Sequence, residues 1–402
     1  MSKLKRLIDH PAIGGILLLA ATLLALAFAN SPWQAGYHHL LGTELGVSLG
    51  EASIHKSIIL WIDDGLMVLF FFFVGLELKR ELIAGELSSP RKVALPAVGA
   101  LGGMIVPALI YIAFNHNDPH NLHGWAIPTA TDIAFALGVL TLLGNRVPPG
   151  LKAFLVSLAI FDDMGAILII AFFYTTSLSA GALSLAALCL LLLFALNRWH
   201  VTRALPYVLV GLVLWAAVLE SGIHATIAGV LLAIFIPFHT RPGEASLLHR
   251  MEHALAGPVT FVILPLFAFA NAGLTFEGLH LSILTEAVPL GIMLGLIFGK
   301  TIGVFGASWL LVKSKLAQLP NHTNWKQMLA TSMICGIGFT MSLFIASLAF
   351  AAAGGHGEVE PGPKLGILLG STLAAVIGYL LLNASLPRKN TDSPGAEKST
   401  EK

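Results

Sequence analysis

Apolar residues in this chain run in stretches long enough to cross a bilayer core of roughly 30 Å, and such stretches recur from one end to the other. They predict helices, whose backbone hydrogen bonds close within the segment. A membrane barrel would need alternating strands of about ten residues, and no such alternation appears. Twelve runs can be placed, centred near residues 21, 67, 104, 134, 163, 188, 212, 230, 265, 300, 340 and 374. The fold class expected is an all-α polytopic membrane protein with twelve transmembrane helices. One membrane domain would cover residues 1–386, and the polar stretch 387–402 would form a disordered cytoplasmic tail.

Composition agrees: 56% of the 402 residues are hydrophobic, 11% are charged, and the mean hydropathy is +0.82. The few basic residues orient the runs. With the N-terminus inside, the inner loops and tails hold 20 lysines and arginines, among them Lys3, Lys5, Arg6, Lys79, Arg80, Arg146, Arg241 and Arg250. The outer loops hold only Lys56 and Lys364. Cytoplasmic loops carry such an excess, so both termini are expected in the cytoplasm. The first run also reads as a signal peptide, with a basic start and AFA before Asn30, but the basic-residue split favours its retention as a span. The outer segment Ser31–Lys56 has short β-favouring pieces between glycines and fits a small hairpin or an irregular loop equally well. Two cysteines, Cys189 and Cys335, lie far apart in apolar runs, which argues against a disulfide framework and a cysteine metal site.

Two runs are interrupted. The fourth contains AIPTATDIAFALG, with Pro128, Thr129, Thr131 and Asp132, and the eleventh contains ICGIGFTMS, with Gly336, Gly338 and Thr340. Glycine and proline are common in membrane helices in any case. Interruptions at matching places in two halves nevertheless point to a midplane ion site, and spans 3–5 and 10–12 would then be inverted repeats.

Four ionisable residues sit where lipid tails are expected: Asp132, the adjacent Asp162 and Asp163 of LAIFDDMGAILII, and Lys300. Each isolated charge at a helix centre costs ~2.5 to 3.5 kcal/mol, so the four must face one another or water. A single Asp–Lys pair would suffice to lock helices together, but one lysine cannot neutralise three aspartates, and the remainder need protons or cations. Neighbouring helical residues point about 100° apart, so one of Asp162 and Asp163 can meet the lysine while the other meets an ion. A carboxylate can hold a proton or a hard cation, not both, and that competition is a mechanism of exchange. Asp63 and Asp64 in WIDDGLMVLF lie near the outer end of the second run and read as interface carboxylates or part of an ion pathway. GLELKREL, with Glu77, Arg80 and Glu81, and RMEH, with Glu252 and His253, read as solvated inner faces. His224 reads as an ordinary helix histidine or as a switch.

The motifs TATDIAFALGVL, LAIFDDMGAI, GIHATIAGVLL, LPLFAFANAG, GLIFGK and CGIGFTMSLFIASLAF closely resemble the NhaA-type sodium/proton antiporters of bacterial inner membranes, and the match runs to about Leu382. The resemblance implies twelve helices with crossing breaks in spans 4 and 11. It also implies electrogenic export of sodium or lithium against a larger number of protons, activated at alkaline pH, with no cofactor and no enzymatic reaction. It makes Asp163 the main cation ligand, with Asp132 and Thr131 lining the sodium site, and makes Asp162 the proton-exchanging partner of Lys300. Glu77, Arg80, Glu81, Glu252 and His253 match a cytoplasmic pH-response face, and His224 and Gly338 match further positions linked to that response. The outer loop 31–57 resembles the hairpin through which the family forms homodimers. A sodium-coupled organic solute symporter of similar fold is the alternative. An intramembrane aspartyl protease is disfavoured by the lack of a G-x-G-D motif and by the lysine beside the acids. Nothing in the sequence points to nucleic acid.

Overall fold

The computed structural model describes residues 12–49, 52–85, 90–175, 178–238, 245–352 and 359–387. Lys3, Lys5, Arg6 and Arg241, and the tail from Arg388 on, lie outside the described residues. The helices are α1 (Ala12–Ala29), α2 (Gln34–Gly42), α3 (Ile58–Ala84), α4 (Pro90–Asn115), α5 (Pro119–Thr129), α6 (Ile133–Leu142), α7 (Pro149–Phe173) and α8 (Ala180–Arg198). They continue with α9 (Ala204–Glu220), α10 (Ile227–Phe235), α11 (Leu247–Asn271), α12 (Ala287–Lys313), α13 (Trp325–Ile334), α14 (Phe339–Ala352) and α15 (Pro361–Ser385). Among the described residues, seven of these are long and apolar enough to cross a membrane. Three more apolar stretches are bent pairs: α1 with α2 at 112°, α5 with α6 at 41°, and α13 with α14 at 45°. The fold is therefore an all-α polytopic membrane protein.

The segment between α2 and α3 resolves the choice left open by its sequence. Strands β1 (Glu44–Leu49) and β2 (Ala52–Ser57) pair antiparallel, from Glu44 opposite Ser57 to Leu49 opposite Ala52. The indole of Trp61 donates to the Leu45 carbonyl at 2.9 Å and ties the hairpin to α3.

Two surfaces of opposite character show where lipid and protein meet. On α8 and α9 large apolar side chains stand exposed, Leu191 at 65% and Leu205 at 66% among them, a density that a water-soluble surface does not tolerate. Residues 330–350, by contrast, are buried without interruption, so the broken pair α13–α14 is surrounded by protein. That enclosure lets a helix break at membrane depth, because every freed backbone group must find a partner other than lipid.

Helix α12 is held against α4 by backbone-to-backbone contact. A Cβ on Gly102 would lie 2.3 Å from the Gly303 carbonyl oxygen, and one on Gly303 would lie 2.1 Å from that of Gly102. Small residues permit this approach where no hydrophobic force between helices exists in lipid. One residue on, Gly103 leaves room for the Lys300 side chain, whose ammonium is 3.7 Å from where a Cβ would be. A π-helical turn, Gly295–Gly299, immediately precedes Lys300, and another, Ile62–Leu66, contains Asp63 and Asp64. Such turns insert one residue into the helical ladder and re-aim the side chains beside it.

Candidate functional site

Local sequence sets the two breaks. Pro128 lacks an N–H, and the chain leaves the helix at Ala130, which is extended, before Asp132 caps α6. At the other break Gly336 lies against α12, where a Cβ would fall 2.3 Å from the Leu296 carbonyl oxygen. Helix α13 itself starts with a capping box: Asn324 and Gln327 exchange hydrogen bonds of 2.9 and 3.0 Å.

The breaks satisfy each other's orphaned groups. The Asp132 N–H donates to the Ile337 carbonyl at 2.6 Å, and the Ser342 hydroxyl donates to the Ile127 carbonyl at 2.8 Å. Ser371 of α15 accepts from the Gly338 and Phe339 N–H groups at 3.2 and 3.0 Å. Asp132 lies between two helix N-termini. Its Oδ1 accepts from the Phe135 N–H of its own helix at 2.9 Å, and its Oδ2 accepts from the Thr340 N–H at 3.2 Å and the Thr340 hydroxyl at 2.5 Å. The positive ends of α6 and α14 thus converge on one carboxylate.

Asp162 and Lys300 form a salt bridge of 2.5 Å with both side chains withdrawn from solvent. The same carboxylate oxygen lies 2.6 Å from the Thr131 hydroxyl, which also has the Cys335 carbonyl at 2.9 Å. One hydroxyl hydrogen serves one acceptor at a time, so Thr131 can donate to the acid or to the end of α13, not to both. Adjacent Asp163 is 2% exposed, and among the described residues its Oδ1 has no hydrogen-bond partner; Oδ1 of Asp162 is likewise unpartnered. Asp163 lies within electrostatic reach of Asp162, Asp132, Glu77 and Lys300.

The three aspartates therefore differ in what they can still accept. Asp132 is committed to two helix ends, and Asp162 shares its charge with Lys300. Asp163 has neither. The structure brings Thr131 to Asp162 rather than to Asp163, a pairing that the order of residues in TATD does not reveal. Sequence reasoning also left Thr340, Ser342 and Ser371 without roles; hydroxyls in apolar runs are common, and only the break before Thr340 marks it.

Glu77, Arg80, Glu81 and Glu252 do come together. Arg80 lies 2.8 Å from Glu252, 2.5 Å from Glu81 and 3.9 Å from Glu77. These groups are partly buried, which corrects the expectation of a solvated face: α11 packs over α3 there. His253 is exposed, and His249 is the histidine 3.9 Å from Glu252. Lys79, adjacent to Arg80, donates to the Ile234 and Ile236 carbonyls at 2.5 and 2.6 Å and so caps the end of α10. Gly338 lies in the second break. His224 lies apart from this cluster, in a cavity lined also by Lys56 and Asp64. Asp63 is 3% exposed, so it is a buried carboxylate and not an interface one.

Buried, unequally neutralised carboxylates at the meeting of two interrupted membrane helices define a membrane-embedded secondary transporter. The chain belongs to the Na+/H+ antiporter 1 family, whose model matches residues 5–382. It is 53% identical over 390 residues to the Na(+)/H(+) antiporter NhaA of Pseudomonas fluorescens, covering 97% of this chain and 98% of that protein. Its identity to the Na(+)/H(+) antiporter NhaA of Pseudomonas putida is 54% over 374 residues, or 93% and 95% of the two chains. The protein of the same name from Aeromonas hydrophila is 53% identical over 391 residues, or 97% and 98%.

Proposed function

We propose that this protein is an electrogenic Na+/H+ antiporter of a bacterial inner membrane, exporting Na+ or Li+ from the cytoplasm in exchange for a larger number of external protons. The observation that carries this reading is the Asp163 carboxyl group, buried without a hydrogen-bond partner on Oδ1 beside the Asp162–Lys300 pair. A buried carboxylate left so must take up a cation, and a proton and Na+ compete for it. When Asp163 exchanges one for the other, Asp162 can pass its own proton because Lys300 holds the compensating charge. Thr131, with one hydroxyl between Asp162 and Cys335, supplies an oxygen ligand to Na+ when its hydrogen points to the carbonyl. Asp132 stabilises the crossing and adds negative charge at the site. Each net charge that enters with the protons gains ~2.3 kcal/mol per 100 mV, so a negative interior drives Na+ outward.

The finer architecture belongs to the same reading. Twelve spans with both termini in the cytoplasm follow if α9 and α10 each count as a span and α2 lies along the surface. The similar bends of 41° and 45° support spans 3–5 and 10–12 as inverted repeats. The exposed outer hairpin supports homodimer contact through residues 31–57. The inner cluster of Glu77, Arg80, Glu81 and Glu252, with His253 nearby, supports a pH-responsive entry, with His224 and Gly338 acting from the outer side and the crossing. The relatives, named as antiporters, give the solute-symporter alternative no support.

The test is reconstitution in proteoliposomes under an imposed pH gradient. Added Na+ should drive proton movement in the wild type and none in Asp163→Asn. A wild type that is folded and moves no protons with Na+ would end this reading.

A further inference from the structure

A second buried carboxylate lies on the outer side of the molecule, away from the helix crossing. Asp63 sits in the π-helical turn Ile62–Leu66 of α3, and its Oδ1 accepts from the Asn271 amide of α11 at 2.9 Å. It lines a cavity of about 200 Å³ with Asp64, Lys56, His224 and Ser347, which is room for several waters. The Nε2 of His224 is buried and has no hydrogen-bond partner among the described residues.

Both lysines of the outer loops converge here. Lys56 of β2 lies 2.6 Å from Asp64 and neutralises it. Lys364 of α15 donates to the Gly273 carbonyl at 3.2 Å and acts on Asp63 only through space. Asp63 is thus a buried acid with one amide donor and no direct counter-ion among the described residues, a costly state unless a cation joins it. The choice of cation follows from the lining. Na+ needs several oxygen ligands, but the Asn271 amide and the Lys56 ammonium turn positive hydrogens toward this acid pair, and Lys56 already occupies Asp64. A proton needs only one carboxylate oxygen.

We propose that Asp63 is a proton-binding site of the outer face, taking a proton from the water of this cavity at the outer end of α14. The acid and base balance simply: the carboxylate takes a proton from hydronium and releases water. Ser347 in the cavity wall and Thr340 on Asp132 belong to the same helix, about 11 Å apart along its axis. Protonation of Asp63 changes the field at one end of α14, and the other end grips the exchange site. This inference rests on the antiporter reading and supplies it with an external proton-loading step. The other charged or titratable groups on the cavity are Asp64, Lys56 and His224, with Lys364 behind them.

Infrared difference spectra of the full chain in proteoliposomes, taken as external pH is stepped at clamped internal pH, should show a protonated-carboxyl band that disappears in Asp63→Asn and is displaced in Asp63→Glu. In the same vesicles, exchange by Asp63→Asn should fall severalfold at alkaline external pH, while its dependence on internal pH keeps its shape. Spectra of wild type and Asp63→Asn that superimpose, with both proteins shown folded by thermal melting, overturn the proposal. If Asp63→Asn does not fold, the displaced or undisplaced band of Asp63→Glu decides. Asp163→Asn should keep the Asp63 band although it stops exchange. A wild type that moves no protons therefore defeats the antiporter reading, and the spectra still decide this site.

Discussion

Three carboxylates surround one basic side chain at two places in this molecule. At the crossing, Asp132, Asp162 and Asp163 lie together with one lysine, Lys300, which pairs directly with Asp162; in the second cluster, Glu77, Glu81 and Glu252 share Arg80. The ratio is the same, and the surroundings differ. Lys300 and Asp162 have no exposed side-chain surface, whereas Arg80 is 29% and Glu77 22% exposed. Water reaches part of this second trio, so an unbalanced negative charge there costs less than at the crossing. Inside, the imbalance can be met only by a bound cation or proton. On the proposed function, burial, more than the number of charges, is what would make a cluster an exchange site.

The sharpest contrast should appear on removing one acid from each place. Asp163→Asn should end Na+-driven proton movement at every pH, and Glu252→Gln should displace the pH profile while leaving the maximum rate; equal losses would break the distinction. Next in size is proton competition. If one proton excludes Na+ from Asp163, the apparent KM for Na+ should rise about tenfold per pH unit on the acidic limb, measured from the inner side. A KM independent of pH would remove competition from the mechanism.

Stability gives the next two steps. Lys300→Ala leaves Asp162 without its counter-charge and should cost about 3 to 5 kcal/mol, seen as a lower melting temperature, with recovery in the double variant Lys300→Met with Asp162→Leu. Thr340→Val removes the hydroxyl that donates to Asp132 and should cost about 1.5 to 3 kcal/mol. The smallest effect belongs to the Arg80 cluster: Arg80→Gln should cost about 1 kcal/mol or less, and its shift of the pH profile should shrink in high salt. A salt-insensitive shift would place that cluster in a drier setting than its exposure indicates.

The acids of the crossing were legible in the sequence because a charge within an apolar run has no innocent explanation. The partners were not. Thr340 follows Asp132 by 208 residues, and Ser371 lies a helix beyond it; neither hydroxyl stands out among the chain's many. Asp63 was misread because its place near the end of a run suggests solvent, while the π-turn and Asn271, 208 residues on, enclose it. Hydropathy measures the length of an apolar run, but at Ala204–Glu220 and Ile227–Phe235 helical bonding covers only 17 and 9 residues.

The order of the charges along the chain has a consequence for biosynthesis. Asp162 is made 138 residues before Lys300, and Asp132 is made 208 residues before Thr340. At about 5 to 20 residues per second, Asp162 waits roughly 7 to 28 s for its lysine. During that interval the nascent half-protein must be sheltered by the insertion machinery or carry its carboxyl groups protonated. Chains truncated before α12 should therefore be retained at the translocon or degraded, and the arrival of Lys300 ends the isolation of Asp162.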